Sequence, residues 1–353
     1  MKQVNAVVMP CLNEQQILAH SCASLGFGAG RTPPANSFLV IVDNDSSDGT
    51  REVATSIKSQ SPPGCVIVVS EPEKGYVPAR RRGTITAQKI ARERGIARTN
   101  TLILQVDADT QYSENYVDEI ANASAGTKAA VLFKARTGYP THFLNEYSGY
   151  VTLCNEVDAE FEHLLSDHPA DVIIDDKACA YRLSDYLAWG GHMQEFDEVG
   201  DEILSETTRL FLRAKAAGCK AWLVENALAQ HSTRRIAEHP AMDFATAGFP
   251  RERTWQKSWQ LESQPIDSTK MLSPKVSHPL LEKAKRWRRT HLLGLFGILP
   301  LHVAHTLAIA STLERELWAG KVRLPARLRD DVANRPAILL QDALKAAEKL
   351  FNP

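Results

Sequence analysis

A chain of 353 residues is long enough for one large domain, or for one domain carrying a helical annex. With 44% apolar and 7% aromatic residues it can build a core without disulfides or a structural metal. Its 41 basic and 42 acidic side chains leave a formal net charge of -1, which argues against a nucleic-acid-binding protein with its usual basic excess.

The N-terminal half alternates short β-branched runs with helical stretches. Val4 to Met9 is the first predicted strand; it is too short for a signal peptide and lacks a small-residue cleavage site, so the expected location is the cytoplasm. Strands are also expected at Phe38 to Asp43, Val66 to Ser70, Leu102 to Val106 and Ala129 to Lys134, with helices near 14–25, 48–59, 79–94 and 113–123 between them. Short apolar strands alternating with helices imply an α/β fold, with a Rossmann-like, mostly parallel sheet flanked by helices. Functional loops in such sheets gather at the carboxyl ends of the strands. Those ends are polar here: Asn13-Glu14, Asp43-Asn44-Asp45, Glu71 and Asp107-Ala108-Asp109.

Residues 135–185 read as less regular, rich in aromatics and acids. A helix is expected over 205–217, with Ser205 placed to cap it and Gly218 to stop it. Trp222-Leu223-Val224 reads as a late strand ending near His231, and the polar stretch to 280, with Trp255 and Trp259, as a loop-rich lid or acceptor segment. Residues 281–353 read as a C-terminal helical extension. Between Arg289 and Glu314 there is no Asp, Glu, Lys or Arg, a length sufficient to span a bilayer, which takes about 20 apolar residues. Against a span stand His291, His302, His305, Pro300, Gly294 and Gly297. The expectation is a buried helix pair broken at Pro300, or a surface within 283–313 that docks on a membrane or on a second copy of the chain. The preceding cluster of Lys283, Lys285, Arg286, Arg288 and Arg289 would suit an anionic membrane surface. The six cysteines have no C-x-x-C spacing and fit a reducing compartment.

Asp107-Ala108-Asp109 follows a strongly apolar strand. Two carboxylates one residue apart at a strand end can present oxygens to one hard divalent cation that keeps positions open for substrate phosphates. Such a cation would stabilise a departing diphosphate. Asp43 can accept hydrogen bonds from a base N–H or a ribose hydroxyl, whereas Ser46, Ser47 and Asp48 can cap the following helix. In Pro10-Cys11-Leu12-Asn13-Glu14, Glu14 suits a helix N-terminus. Gly75 supplies a turn, and Arg80 suits a phosphate or a base.

In this order the motifs resemble those of the inverting family-two glycosyltransferases of the GT-A fold: P-x-x-N-E, V-D-D-G-S-x-D-G-T, G-x-x-x-A-R-N-x-G and D-x-D, over about residues 4–235. The resemblance implies a GT-A domain over 1–235, with an acceptor side at about 135–235, a lid at 236–280 and the extension at 281–353. It implies transfer of a sugar from a nucleotide-diphosphate donor to an acceptor hydroxyl with inversion. Pro10, Asn13, Glu14, Asp43, Asn44, Gly75 and Arg80 would line the donor site together with Asp107 and Ala108. Asp107 and Asp109 would bind Mn2+ or Mg2+, with His231 as a further metal ligand and Arg234 or Arg235 as a diphosphate clamp. In this chain Asn44-Asp45 replaces the family's D-G, and Arg81-Arg82 departs from its A-R-N context with Gly83 retained.

The family's later E-D helix start, which carries the base, is matched by Glu206-Thr207; threonine stands where the aspartate would be. Glu206 is therefore the favoured base, with Asp201 and Glu202 as rivals. Glu206 would otherwise only complement the helix N-terminus and Arg209 and Arg213. Two other functions stay open: a sugar-nucleotide-binding protein with impaired catalysis, and a sugar nucleotidyltransferase, although Pro10 to Glu14 is not a nucleotidyltransferase's Gly-rich loop. A membrane-embedded synthase is a third possibility. The acceptor is not identified by any pattern.

Overall fold

A computed structural model of the chain describes residues 3–162, 172–203, 205–249, 279–309 and 322–351. The chain forms two compact units that alternate along the sequence. One comprises Met1–Gly138, Ile174–Met193 and Ala217–Ser232; the other comprises Tyr139–Ile173, Gln194–Ala216 and Thr233–Pro353.

The first unit is built on eight strands: β1 (Val4–Cys11), β2 (Ser37–Asp43), β3 (Val66–Ser70), β4 (Thr101–Gln105), β5 (Gln111–Tyr112), β6 (Val131–Gly138), β7 (Cys179–Arg182) and β8 (Lys220–Gln230). Five helices accompany them: α1 (Leu18–Ser24), α2 (Thr50–Gln60), α3 (Tyr76–Glu93), α4 (Tyr116–Ala125) and α5 (Leu183–Ala188). The strand order is β3-β2-β1-β4-β7-β6-β8-β5. Every residue of β2, S-F-L-V-I-V-D, is buried, as expected of an interior parallel strand with both faces covered. β1 runs parallel to β2 and to β4, and β2 parallel to β3. The register sets Cys11 beside Asp43 and Asp43 beside Ser70, so the carboxyl ends of three strands lie in one row. β7 then runs antiparallel to both β4 and β6, and β6 parallel to β8 across an irregularity between Ala135 and Arg136.

The expected mostly parallel, helix-flanked sheet is therefore present. The late strand expected from Trp222 to near His231 is β8, which begins two residues earlier and ends at Gln230. β7 lies in the stretch expected to be irregular; it is only four residues long and gives no long apolar run.

The second unit is helical and has its own core, which includes Phe143, Tyr150, Phe244, Leu293 and Leu340. Phe143, Tyr150 and Phe244 form an edge-to-face series with ring centroids 6.1 and 6.3 Å apart. Three expectations change here. Ser205 precedes the helix Glu206–Ala216 at φ 63, in the left-handed region rather than the extended conformation of a capping serine. Residues 234–249 are not loop-rich: they form the short helices Arg234–Glu238 and Pro240–Thr246, whereas 250–278, with Trp255 and Trp259, lies outside the described residues. The chain is also not broken at Pro300. Pro279–Leu292 leads into a π-helical turn, Leu293–Ile298, where the amide of Leu299 donates to the carbonyl of Gly294, and Pro300 then sits in the first turn of Leu299–Leu307. Pro300 has no amide to donate, and a π-turn directly before it is one of the places where a helix takes up such a lost hydrogen bond.

The helix Leu281–Leu307 is long and apolar enough to cross a membrane, but 83% of its most apolar window is buried inside the protein. The part of 283–313 beyond residue 309 lies outside the described residues. Arg288 and Arg289, from the basic cluster, are engaged internally by bidentate contacts to Asp158 and Glu160.

Candidate active site

The loops at the carboxyl ends of β1 and β2 are bound to each other. Asn13, at φ 58, accepts from the Ser47 amide at 2.8 Å through its side-chain oxygen, and its own amide donates to Ser46 Oγ at 3.1 Å. The Glu14 amide donates to Thr50 Oγ1 at 2.7 Å. The serines and threonine of the β2 loop therefore serve the β1 loop as well as the start of α2. Pro10 pairs with Val42 in the sheet and positions this turn.

Asp43 is buried, accepts from the Ser46 amide at 3.2 Å and lies 3.8 Å from the Arg51 guanidinium. Asn44 is also buried. Its side-chain amide donates to the carbonyls of Glu71 and Glu73 at 2.9 and 2.7 Å, and its oxygen accepts from the Gly75 amide at 3.1 Å. Asn44, the departure from the family's aspartate, thus fastens the loop after β3. That loop ends at Gly75, whose φ of 143 and ψ of 161 are open to glycine and strained for other residues. From there α3 begins, and it lies close against the sheet at Gly83, where a Cβ would stand 2.3 Å from Val8 Cγ1. The retained glycine of the motif is explained by this close approach, which brings Arg80, one turn earlier, to the end of β4.

Arg80 is buried, and its NH2 donates to Asp107 Oδ1 at 3.0 Å. The Asp107 side chain remains 31% exposed, and among the described residues Arg80 is the only group hydrogen-bonded to its carboxylate. Ala108 is buried and Asp109 is partly exposed. The Asp107 amide donates to the Tyr112 hydroxyl at 2.8 Å. Burial raises the Tyr112 phenol well above its ordinary value, so it stays a neutral hydroxyl. That hydroxyl donates to the carbonyl of Lys177 at 3.2 Å.

The loop 175–178 was not foreseen as part of the site. Gln105 Nε2 donates to the Asp176 carbonyl at 2.7 Å and Gln105 Oε1 accepts from Tyr181 at 3.1 Å, which holds the loop beside β4. Burial opposes the charge on Lys177, but the Asp175 carboxylate, 2.5 Å away, outweighs it and lifts the lysine above its ordinary value. The sequence signal was Asp175-Asp176-Lys177, a charged triplet directly after apolar Val172-Ile173-Ile174.

His231 follows β8 and donates its amide to the Gly138 carbonyl at 3.2 Å. Burial, and then the charge on Lys177, lower its imidazole to about 4, so it is neutral at physiological pH. Among the described residues no group of three or more His, Cys, Asp and Glu side chains forms a ready-made cation site, so Asp107, Asp109 and His231 are not preassembled as a trio. The two aspartates still suit a hard cation that takes the rest of its ligands from phosphate and water.

The remaining expected residues belong to the helical unit. Glu206 is buried at the start of its helix. Arg209, fully buried, pairs with Glu195 at 2.9 Å. Glu195, four residues after Gly191, also accepts from the Ala337 amide at 3.0 Å. Asp201 and Glu202 close a tight loop: Asp197 accepts from the Asp201 amide at 2.8 Å, and Glu202 bridges Phe196. Arg234 is exposed, and Arg234 and Arg235 open a short helix.

No curated protein sequence matches the chain. Among solved structures, a mannosyltransferase from Pyrobaculum calidifontis in complex with GDP-Man and Mn2+ is 17% identical, with a TM-score of 0.47 over 99% of this chain and 88% of that one. TarS residues 1-349 from S. aureus, in complex with UDP-GlcNAc, are 13% identical, with a TM-score of 0.46 over 99% of this chain and 91% of that one. The glucosyl-3-phosphoglycerate synthase of Mycobacterium tuberculosis, with Mn2+, UDP-glucose and phosphoglyceric acid, is 14% identical, with a TM-score of 0.39 over 68% and 75%. The family model of glycosyl transferase family 2 matches residues 6–186, which run from β1 through the D-x-D motif to α5. The chain therefore belongs to glycosyl transferase family 2, with the α/β fold of the GT-A type.

Proposed function

We propose that the chain is a metal-dependent, inverting glycosyltransferase that moves a sugar from a nucleotide-diphosphate donor to an acceptor hydroxyl. The observation that carries this reading is Asp107: it lies two residues past the end of interior strand β4, is gripped on one oxygen by buried Arg80, and stays partly open to solvent. Asp43 would receive the base or ribose. Asn13, Glu14, Asn44 and Gly75 would shape the loops around them, and Pro10 and Ala108 would form the walls. Mn2+ or Mg2+ held by Asp107 and Asp109, with His231 approaching as a neutral ligand, would supply charge that stabilises the leaving diphosphate. Arg80 orients Asp107, and Arg234 or Arg235 would add cationic charge.

In the helical unit Glu206 is proposed to take the acceptor proton as its oxygen attacks the anomeric carbon from the far side. Asp201 and Glu202 are the alternatives. Thr207 at the family's aspartate position favours a second reading, a donor-binding protein with weak or no turnover. Glu206→Gln distinguishes the two. A fall in turnover of about 10²-fold or more with donor affinity kept supports the base, whereas native protein that binds donor and never transfers sugar supports the binding role.

The donor site is tested by thermal unfolding with UDP, GDP, ADP and CDP, with and without Mn2+. One nucleotide should raise the melting temperature only when Mn2+ is present, because a ligand of the native state stabilises it. Asp109→Ala should remove that rise. A rise independent of metal, or unaffected by Asp109→Ala, would overturn the proposed site.

A further inference from the structure

We propose that Lys177, presented by Asp175 opposite Asp107, is a second diphosphate-binding cation, one that makes metal and diphosphate bind as a pair. The inference rests on the donor site proposed above. The antiparallel pairing of β4 with β7 ends at Gln105 and Cys179, and Asp107 and Lys177 each lie two residues beyond that last pair. Tyr112 ties the two positions together, accepting from the Asp107 amide and donating to the Lys177 carbonyl.

The Lys177 side chain is 20% exposed, and among the described residues Asp175 is its one hydrogen-bond acceptor. An ammonium has three donors, so two of them have no acceptor among the described residues, a costly state for a largely buried charge. Nor is Lys177 needed to neutralise Asp107, whose carboxylate is already bonded to Arg80. A divalent cation on Asp107 and Asp109 would be repelled by this ammonium unless an anion lay between them. A diphosphate is such an anion, and its oxygens would accept the two remaining donors.

This arrangement predicts effects of opposite sign from one substitution. In Lys177→Gln, affinity for UDP or GDP measured in saturating Mn2+ should fall about 10-fold or more, the loss of a charge-assisted contact. Affinity for Mn2+ alone, measured by titration calorimetry, should rise. Lys177→Arg should keep most of the nucleotide affinity. A Lys177→Gln protein that binds the nucleoside diphosphate as the native chain does, or loses both affinities together, overturns the proposal. If Lys177→Gln does not fold, Asp175→Asn serves instead: it should weaken Mn2+ alone and spare the nucleoside diphosphate, and loss of both again overturns it. A native chain that binds none of the nucleoside diphosphates overturns the donor site itself, and this inference with it. Native binding with an unaffected variant overturns this inference only.

Discussion

Arginine meets carboxylate in both units, but the pairs are finished differently. In the sheet unit, Arg80 takes one oxygen of Asp107 and the carboxylate stays 31% exposed. In the helical unit, both oxygens of Glu195 are occupied, one by Arg209 and the other by the Ala337 amide at a helix start. Asp158 is likewise filled by the fork of Arg288, which also donates to the Phe244 carbonyl. A carboxylate with every acceptor satisfied is a structural joint, whereas one held by a single oxygen is oriented and still able to bind something else. The same residue types thus serve two purposes, and the count of occupied oxygens separates them.

The largest expected effect tests the joint. Arg209→Met leaves the largely buried Glu195 carboxylate with the Ala337 amide but without the Arg209 charge, and should lower the unfolding free energy by about 3 kcal/mol in chemical denaturation. Asp107→Asn keeps an acceptor for Arg80, so its stability loss should be about 1 kcal/mol or less while Mn2+-dependent nucleotide binding disappears. Equal destabilisation by the two would erase the distinction. Next comes Gly83→Ala, which forces a Cβ onto Val8 and should cost about 1–3 kcal/mol. Because the strain displaces α3, nucleotide binding should weaken as well, and Val8→Ala in the same chain should restore part of both.

A smaller effect is expected from pH. Burial lowers the His302 imidazole below 6.5 despite Asp342 at 3.1 Å, with Arg327 and His305 also disfavouring the charged form. The folded state therefore binds fewer protons than the unfolded chain as pH falls below about 6.5, and stability should decline there by about 1 kcal/mol or less. His302→Gln should flatten the decline between pH 7 and 5, and an unchanged slope would remove His302 as its source. The smallest effect belongs to Arg289→Gln. Its pair with Glu160 is partly exposed, at 29% and 46%, and should be worth about 0.5 kcal/mol or less and fade in salt.

Much of the sheet unit was legible because its elements announce themselves locally. Interior parallel strands such as β2 are unbroken apolar runs, and the polar residues that end them mark the loops. What stayed hidden depended on distant partners. β7 is a strand because β4 and β6 lie on either side of it, and nothing in Cys179-Ala180-Tyr181-Arg182 states that. Lys177 entered the site by the same pairing. Arg209 also reaches Glu195, fourteen residues away, because the loop closed by the Phe196–Glu202 bridge folds back, and no local spacing shows that pair. The motif alone makes Asn44 a donor-site residue. Its hydrogen bonds to Glu71, Glu73 and Gly75 give it a bracing duty that no local pattern encodes.

Because the two units alternate along the chain, neither can be cut out as one continuous piece. The amide of Leu228 donates to Ser113 Oγ across 115 residues, and among the described residues β5 finds its sheet neighbour in β8 alone. During synthesis, β1 to β4 could associate early, but the far edge of the sheet must wait for the ribosome to release β8. By then the segment 139–173, which belongs to the other unit, has already emerged, so the nascent protein must keep the aromatic helices of that segment from premature association until their partners arrive.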